Sequence, residues 1–205
     1  MVDSNRSPRL SNWPGSSRYD RSIDRRASLD RTSALVRLGD ALGTEHVAIN
    51  RYRVAPGDGF PGGLHTHADQ EEVFVVVTGA ATFETLDGDV TVGAGEAARF
   101  APGEFQTGEN RGDGDLVAFA LGAPRGTEDV RVPATCPDCD AVGLQVDTED
   151  TDTVFRCPDC AEEHVPGPCP DCGGDSLAFV TDDEHRPVVA CDDCGSRFAE
   201  APLRE

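Results

Sequence analysis

The chain has 205 residues, which gives room for one mid-sized domain and one smaller domain. Its 18 basic residues are all arginine, and its 38 acidic residues leave a formal net charge of −20. We therefore expect a halophilic protein whose self-repulsion is screened by salt. A high-GC genome would also favour arginine over lysine. No apolar run approaches the roughly 20 residues of a membrane span and no signal peptide is recognisable, so we expect a cytoplasmic protein without a membrane partner.

The charge is distributed unevenly along the chain. Residues 1–33 carry a net charge of +3, residues 34–133 carry −9, and residues 134–205 carry −14. Affinity for nucleic acid comes largely from Lys and Arg contacts to phosphates, so the acidic last third should repel a nucleic-acid backbone. We therefore expect no nucleic-acid partner.

The first 33 residues are rich in Ser, Arg, Asp and Asn, and their apolar residues follow no period. This composition predicts a disordered tail over residues 1–33. Immediately after it, Leu35, Leu38 and Leu42 are spaced by three and four residues. That spacing predicts a short helix around Ser33–Leu42.

From Val47 the sequence changes to short apolar, β-branched runs separated by Gly, Pro and Asp turns. These runs predict strands at Val47–Val54, Glu72–Thr78, Ala80–Leu86, Val90–Val92, Ala97–Ala101 and Leu116–Leu121. Many short strands at this spacing predict an antiparallel sandwich or barrel, which we assign to residues 34–133.

Two histidines stand two residues apart in His65-Thr66-His67, and Glu72 opens the apolar strand that follows. Side chains two apart in a strand point to the same face, so both imidazoles can bind one metal ion. Two histidines and one carboxylate form a facial set that leaves positions open for water, substrate or dioxygen. Glu71 is the competing carboxylate and should point outward if Glu72 points inward.

The stretch from Gly59 to Gly79 resembles the first motif of the cupin superfamily. The motif positions are Gly59, five residues, His65, one residue, His67, four residues, Glu72, six residues and Gly79. A second cupin motif is partly present at Gly95, Pro102 and Asn110, with one residue too many between the glycine and the proline. The resemblance covers Val47–Leu121. It implies an all-β jelly-roll barrel that binds one divalent metal ion, which could be Fe(II), Mn(II), Ni(II), Zn(II) or Cu(II).

One position departs from the cupin pattern. The fourth metal ligand of the family is a histidine four residues after the motif proline, where this chain has Gln106. An amide oxygen can bind a metal, but it is neutral and weaker than imidazole for soft divalent ions. We therefore count Gln106 among the metal-site residues, either beside a three-ligand site or hydrogen-bonded to a metal-bound water or ligand.

All eight cysteines occur in four C-x-x-C pairs in the last 70 residues. The pairs are Cys136 and Cys139, Cys157 and Cys160, Cys169 and Cys172, and Cys191 and Cys194, with gaps of 17, 8 and 18 residues between consecutive pairs. Two such pairs separated by 15–20 residues are a four-cysteine zinc signature. We therefore expect tandem zinc ribbons over residues 134–205, with two structural zinc ions: pairs one and two would bind the first, and pairs three and four the second.

Several alternatives to this assignment stay open. The outer and inner pairs could combine in a nested arrangement, and tetrahedral sulfur also suits iron. Disulfides are disfavoured in the cytoplasm. If each cluster binds zinc, its sulfurs should lie roughly 3.5–4.5 Å apart. Four thiolates fill the coordination shell, so such a zinc ion would be structural rather than catalytic.

The sequence leaves three function classes. One is an enzyme, a metal-dependent oxygenase, isomerase or lyase acting on a small molecule in the barrel. Another is a sensor whose barrel binds a ligand and whose ribbons dock a protein partner, and the third is an interaction protein with an empty barrel. The open metal set favours the first class, whereas the ribbons and the missing fourth histidine favour the second. A homodimer is left open.

Overall fold

The structure is a computed structural model and describes residue 32, residues 34–147 and residues 153–204. The tail predicted for residues 1–33 lies outside these ranges except for Thr32. Within the described ranges, no helix is both long and apolar enough to cross a membrane.

The described residues form one helix and many short strands, so the expected all-β class is confirmed. The elements are β1 (Leu35–Arg37), α1 (Leu38–Leu42), β2 (Ala48–Val54), β3 (Thr66–His67), β4 (Glu71–Thr78), β5 (Ala80–Thr85), β6 (Gly88–Gly93), β7 (Ala97–Phe100), β8 (Gln106–Glu109), β9 (Leu116–Ala123), β10 (Val130–Thr135), β11 (Val142–Asp147), β12 (Val154–Arg156), β13 (Glu163–Pro166), β14 (Leu177–Thr181), β15 (Pro187–Cys191), β16 (Arg197–Phe198) and β17 (Leu203–Arg204).

The barrel is built from two main sheets that enclose one apolar core. The larger sheet has the order β1-β2-β9-β4-β7, and the smaller has the order β6-β5-β8. Alternate residues of β9 face inward, so Leu116, Ala118 and Ala120 are buried while the residues between them are less so. The core also contains Val54, Phe74, Val76, Ala81, Phe83, Val92 and Phe100.

The predicted helix is shorter than the sequence pattern suggested. Only Leu38–Leu42 is helical, whereas Leu35–Arg37 forms β1 and pairs antiparallel with β2. The apolar spacing of three and four fits a helix, but strand pairing with β2 satisfies the backbone of the first three residues instead. Gly43 then ends the helix in the left-handed conformation that lacks a Cβ penalty.

The cysteine-rich segment is joined to the barrel by continuous strand pairing. A six-stranded sheet has the order β17-β13-β12-β11-β10-β3, so β10 pairs with β3 of the barrel on one side and with β11 on the other. The domain limit predicted between residues 133 and 134 falls within β10. Strands β10 to β13 therefore extend a wall of the barrel.

We call the parts of the chain around Cys136–Cys160 and Cys169–Cys194 the first and second cysteine units. The second unit forms its own three-stranded sheet, in the order β14-β15-β16. It packs against the first unit through Phe155 and Phe179, whose ring centroids lie 6.2 Å apart. Phe179 also packs against the first unit's core, where Leu144 and Cys136 are fully buried. The two units therefore share apolar packing, which compensates for the small size of each.

Candidate functional site

The structure brings the two histidines and the carboxylate together inside the barrel. His65 and His67 lie at the short strand β3, and Glu72 lies at the start of β4. One donor atom from each residue falls within 4.8 Å of the others. The Nε2 atom of His67 is 3.6 Å from Oε2 of Glu72, and the two imidazole centroids are 5.1 Å apart. This separation suits donors that converge on one ion, each about 2.0–2.2 Å from it.

The other ring nitrogen of each histidine already has a partner. The Nδ1 atom of His65 is 2.9 Å from the carbonyl oxygen of Gly63. The Nδ1 atom of His67 is 3.2 Å from Oγ1 of Thr127, which in turn donates to Asp69 at 2.6 Å. Because the Thr127 proton goes to Asp69, the hydroxyl oxygen accepts from His67, and Nε2 of the imidazole keeps its lone pair for a metal.

Burial sets the protonation states in this site. Burial, together with the neighbouring His65, lowers the pKa of His67 to about 4, so the His67 ring is neutral at neutral pH. Burial also raises the pKa of Glu72, although His65 and a hydrogen bond from Gln106 oppose that shift. The pKa of Tyr52 is raised, first by burial and then by the negative charge of Glu72, so its phenol keeps its proton.

Gln106 lies beside the group, as the motif offset implies. It is buried, and its amide Nε2 donates to Oε2 of Glu72 at 3.2 Å. Its backbone also pairs with that of His65 in an isolated bridge. Glu71 points the other way and forms an exposed ion pair with Arg99 at 2.7 Å. Of the two adjacent carboxylates, Glu72 is therefore the one available to a metal.

The donors open onto a cavity of about 340 Å³. Its polar lining includes Asn50, Tyr52, Gln70 and Arg125, and its apolar lining includes Phe60 and Phe74. The Arg125 guanidinium is fixed at the wall by hydrogen bonds to Asp40 and to the carbonyl of Thr44. Such a volume with a few fixed polar groups is typical of a small-molecule site.

Replacing Thr127 with Val tests whether the Thr127 hydroxyl holds His67 in position for a metal ion. Val keeps the side-chain shape but removes the hydroxyl that links His67 to Asp69, so we expect divalent-metal affinity to fall on the order of 10- to 100-fold. Thr107 also lines the cavity and has no hydrogen bond to a donor residue, so Thr107→Val is the matched control. Isothermal titration with Mn(II) measures both; equal affinities in the two variants would refute the link.

Replacing Gln106 with His tests the position of the missing fourth ligand. An imidazole in place of the amide should add a donor next to Glu72, so we expect metal affinity to rise by about tenfold or more. Gln106→Leu is the control, because it removes the hydrogen bond to Glu72 without adding a donor. An unchanged affinity in the His variant would show that this side chain points away from the ion.

The eight cysteines form two separate clusters with serial pairing. Cys136, Cys139, Cys157 and Cys160 form one, and Cys169, Cys172, Cys191 and Cys194 form the other. All eight are free thiols. Neighbouring sulfurs across each pair of turns are 3.5–3.7 Å apart. These separations fit a tetrahedral thiolate shell and are far longer than the ~2.05 Å of a disulfide.

Sequence reasoning missed several residues around these sites. Thr127 and Asp69 support His67 but are about 60 residues apart, and no spacing motif connects them. His164 is buried with its Nε2 atom 3.6 Å from the sulfur of Cys136 and 3.5 Å from a carboxylate oxygen of Asp138. A histidine so close to a cysteine pair could have been flagged, but its side-chain direction is set by strand β13.

Comparisons with known proteins address the barrel. A family model described as the cupin domain matches residues 50–122. No curated protein matches the chain. Among solved structures, the chain is similar to a sugar phosphate isomerase from a cupin superfamily of Silicibacter pomeroyi, at 21% identity over 68% of this chain and 78% of that one, with a TM-score of 0.43.

Two further structures are similar over smaller parts of the chain. A predicted oxalate decarboxylase of Thermotoga maritima is 26% identical over 44% of this chain and 78% of that one, with a TM-score of 0.40. The polyketide cyclase RemF of Streptomyces resistomycificus is 23% identical over 51% of this chain and 72% of that one, with a TM-score of 0.42. Residues 50–122 thus match the cupin domain, and the double-sheet barrel of this chain agrees with that match.

Proposed function

We propose that the barrel binds one divalent metal ion through His65, His67 and Glu72 and presents it to a small molecule in the cavity. The observation that carries this proposal is the convergence of the three donors within 4.8 Å at a cavity of about 340 Å³. A metal held by three protein ligands has open positions, where it supplies Lewis acidity or binds dioxygen. Gln106 assists by holding the Glu72 carboxylate.

The cavity favours a small, oxygen-rich anion. A divalent ion beside the single charge of Glu72 leaves a local excess of one positive charge. The Arg125 guanidinium, whose charge is balanced by Asp40, offers N–H donors at the wall, and the Tyr52 phenol and the Gln70 amide supply further hydrogen-bonding groups. A carboxylate or phosphate group can therefore bind near the metal while the apolar rings of Phe60 and Phe74 pack against its carbon skeleton.

We favour an enzyme, a metal-dependent oxygenase, isomerase or lyase, over a sensor. Tyr52 lines the cavity and keeps its proton at neutral pH, so it can donate a proton to a bound substrate. One observation favours the sensor: the cysteine units pack directly on the histidine strand, which offers a route from ligand to ribbon surface. In that case the ribbons would carry the protein-docking surface.

A metal titration with two anionic probes tests the proposal. Zinc-loaded protein should bind one additional Mn(II) per chain and enhance water-proton relaxation, because open positions leave room for water. Malonate or inorganic phosphate should then lower the relaxation enhancement, whereas neutral glycerol should not. A protein that binds no additional Mn(II) lacks the site, and an equal response to glycerol would refute the preference for anions.

We also propose one structural zinc ion in each cysteine cluster. The four thiolates of a cluster close the coordination shell, so this zinc supports folding rather than catalysis. Thiolates in this arrangement need a reducing compartment, which agrees with the expected cytoplasmic location. The ribbon surface is strongly acidic, so any protein partner would meet it through basic or neutral groups rather than through further acids.

The excess of acidic residues predicts stabilisation by salt. Several of the described arginines form exposed pairs, such as Arg53 with Asp115 and Arg156 with Glu163, each contributing about 0–1 kcal/mol. Screening by salt weakens these pairs, but it also weakens the repulsion among the acidic residues that give the net charge of −20. The weaker repulsion is the larger of the two effects. We expect the melting temperature to rise by about 5 °C or more between 0.1 and 1 M KCl. A fall would mean that ion pairs outweigh repulsion.

A further inference from the structure

The short segment Gly63–His67, here called the histidine segment, lies between the barrel cavity and both cysteine units. His65 and His67 face the cavity. Leu64 and Thr66 face the other way, and they are 0% and 2% exposed, respectively. The Oγ1 atom of Thr66 is buried and has no hydrogen-bond partner among the described residues. An edge of a free barrel would expose these residues to water.

Strand β10, which leads directly into the first cysteine cluster, holds the histidine segment by strand pairing. In the register of β10 and β3, Val130 is opposite His67 and Arg131 is opposite Thr66. Strand β10 then ends at Thr135, next to the first thiol of its cluster at Cys136. The pairing strand of the histidine segment and a zinc ligand therefore lie on one short stretch of backbone.

The second cysteine unit holds the same segment from another side. The amide of Leu64 donates to the carbonyl of Phe179 at 2.9 Å. A Cβ atom placed on Gly63 would be 3.2 Å from that carbonyl oxygen. Phe179 lies on β14, which pairs with β15 so that Leu177 is opposite the thiol-bearing Cys191. Farther along β14, Thr181 donates to Glu84 of the barrel at 2.6 Å.

The barrel also restrains the segment through backbone hydrogen bonds. His65 exchanges two backbone hydrogen bonds with Gln106, at 3.1 and 2.9 Å, and the carbonyl of His67 accepts one from Gly103 at 3.0 Å. Strand ends fray when one side of the ladder is unpaired, so we expect pairing on the other side to steady the side-chain directions of this two-residue strand. The two cysteine units supply the missing side.

We propose that the two zinc-loaded units position His65 and His67, so that loss of zinc from either unit weakens metal binding in the barrel. This inference rests on the proposed barrel metal site. The units would thus act as the outer support of the metal ligands in addition to any docking role. Zinc status would be transmitted over a short path, through β10 in one case and through the Leu64–Phe179 hydrogen bond in the other.

The first test leaves every cysteine in place. Gly63→Ala puts a methyl group against the carbonyl of Phe179. Gly57→Ala is the matched control, because both glycines have positive φ, at 62° for Gly63 and 81° for Gly57. Nothing lies within 4 Å of a Cβ placed on Gly57. We expect Gly63→Ala to keep two zinc ions, lose amide protection at Leu64, and bind Mn(II) about tenfold more weakly than the control. Equal Mn(II) affinity and equal protection in both variants would overturn the proposal.

The second test removes one zinc. Cys172→Ser breaks the second cluster at an exposed ligand, and Asp171→Asn, an exposed neighbour outside the cluster, is its control. We expect the zinc content to fall from two to one per chain, with faster NMR hydrogen exchange at Leu64, His65 and His67. Amides of β4 and β9 should stay protected, which shows that the barrel remains folded. Zinc loss with unchanged exchange throughout the histidine segment would overturn the proposal.

The two readouts separate this inference from the proposed function. Hydrogen exchange in the histidine segment does not depend on a barrel metal, whereas Mn(II) affinity does. If the wild-type protein binds no Mn(II), the proposed function fails, and faster exchange after zinc loss still supports the positioning role. If Mn(II) binds but neither its affinity nor the exchange responds to zinc loss, the positioning role fails and the metal site stands.

Discussion

Replacing Glu72 with Gln is expected to abolish tight metal binding in the barrel while leaving the fold intact. Supporting residues around a metal typically contribute 10- to 100-fold in affinity, so loss of the charged ligand itself should exceed about 100-fold. Burial raises the pKa of Glu72, which means that its ionised form destabilises the metal-free fold at neutral pH. The metal-free variant should therefore unfold at the same temperature as the wild type or at a higher one.

The adjacent carboxylate provides a matched control for this prediction. Glu71→Gln makes the same chemical change one residue away, on the outer face, where the side chain pairs with Arg99. Its effect on Mn(II) affinity should be below about twofold, because an exposed pair contributes about 0–1 kcal/mol and lies outside the cavity. Metal analysis and titration calorimetry measure both variants. Equal losses in the two would show that general charge, rather than coordination, holds the ion.

Removing zinc from the first cluster should produce the largest change in stability. Replacement of Cys136 with Ser breaks a fully buried ligand that is also part of the apolar core around Leu144 and Phe155. Structural zinc contributes about 10–16 kcal/mol in small zinc-dependent domains, which is as large as the whole stability of a typical domain. We expect strands β11–β13 to lose protection from hydrogen exchange, while β2, β4 and β9 of the barrel keep theirs.

Zinc readdition distinguishes this mechanism from a simple packing defect. A strong chelator should unfold the same strands in the wild-type protein, and added zinc should restore them. The Cys136→Ser variant should not respond to added zinc at its first cluster. Asp140→Asn, an exposed change in the same turn, should keep both zinc ions. Persistence of the wild-type strands after complete zinc removal would mean that apolar packing alone supports them.

The candidate sites could be read from the sequence largely because their ligands are local. His65 and His67 are two residues apart, and period-two alternation in a strand places them on one face whatever the rest of the fold does. The same alternation distinguishes Glu72 from Glu71. Each C-x-x-C pair likewise closes a tight turn by itself, and nearly equal gaps of 17 and 18 residues favoured the serial pairing that the sulfur positions show.

The sequence by itself thus determined the barrel, its donor triad and the two cysteine clusters, because short-range periodicity and spacing encode them. Only the tertiary structure decided that Thr127 and Asp69 support His67, that Leu35–Arg37 is a strand, and that Phe179 contacts the histidine segment. Strand pairing and side-chain contacts between residues distant in the sequence depend on how the sheets close and pack. That information resides in the whole fold, and no local pattern of the sequence carries it.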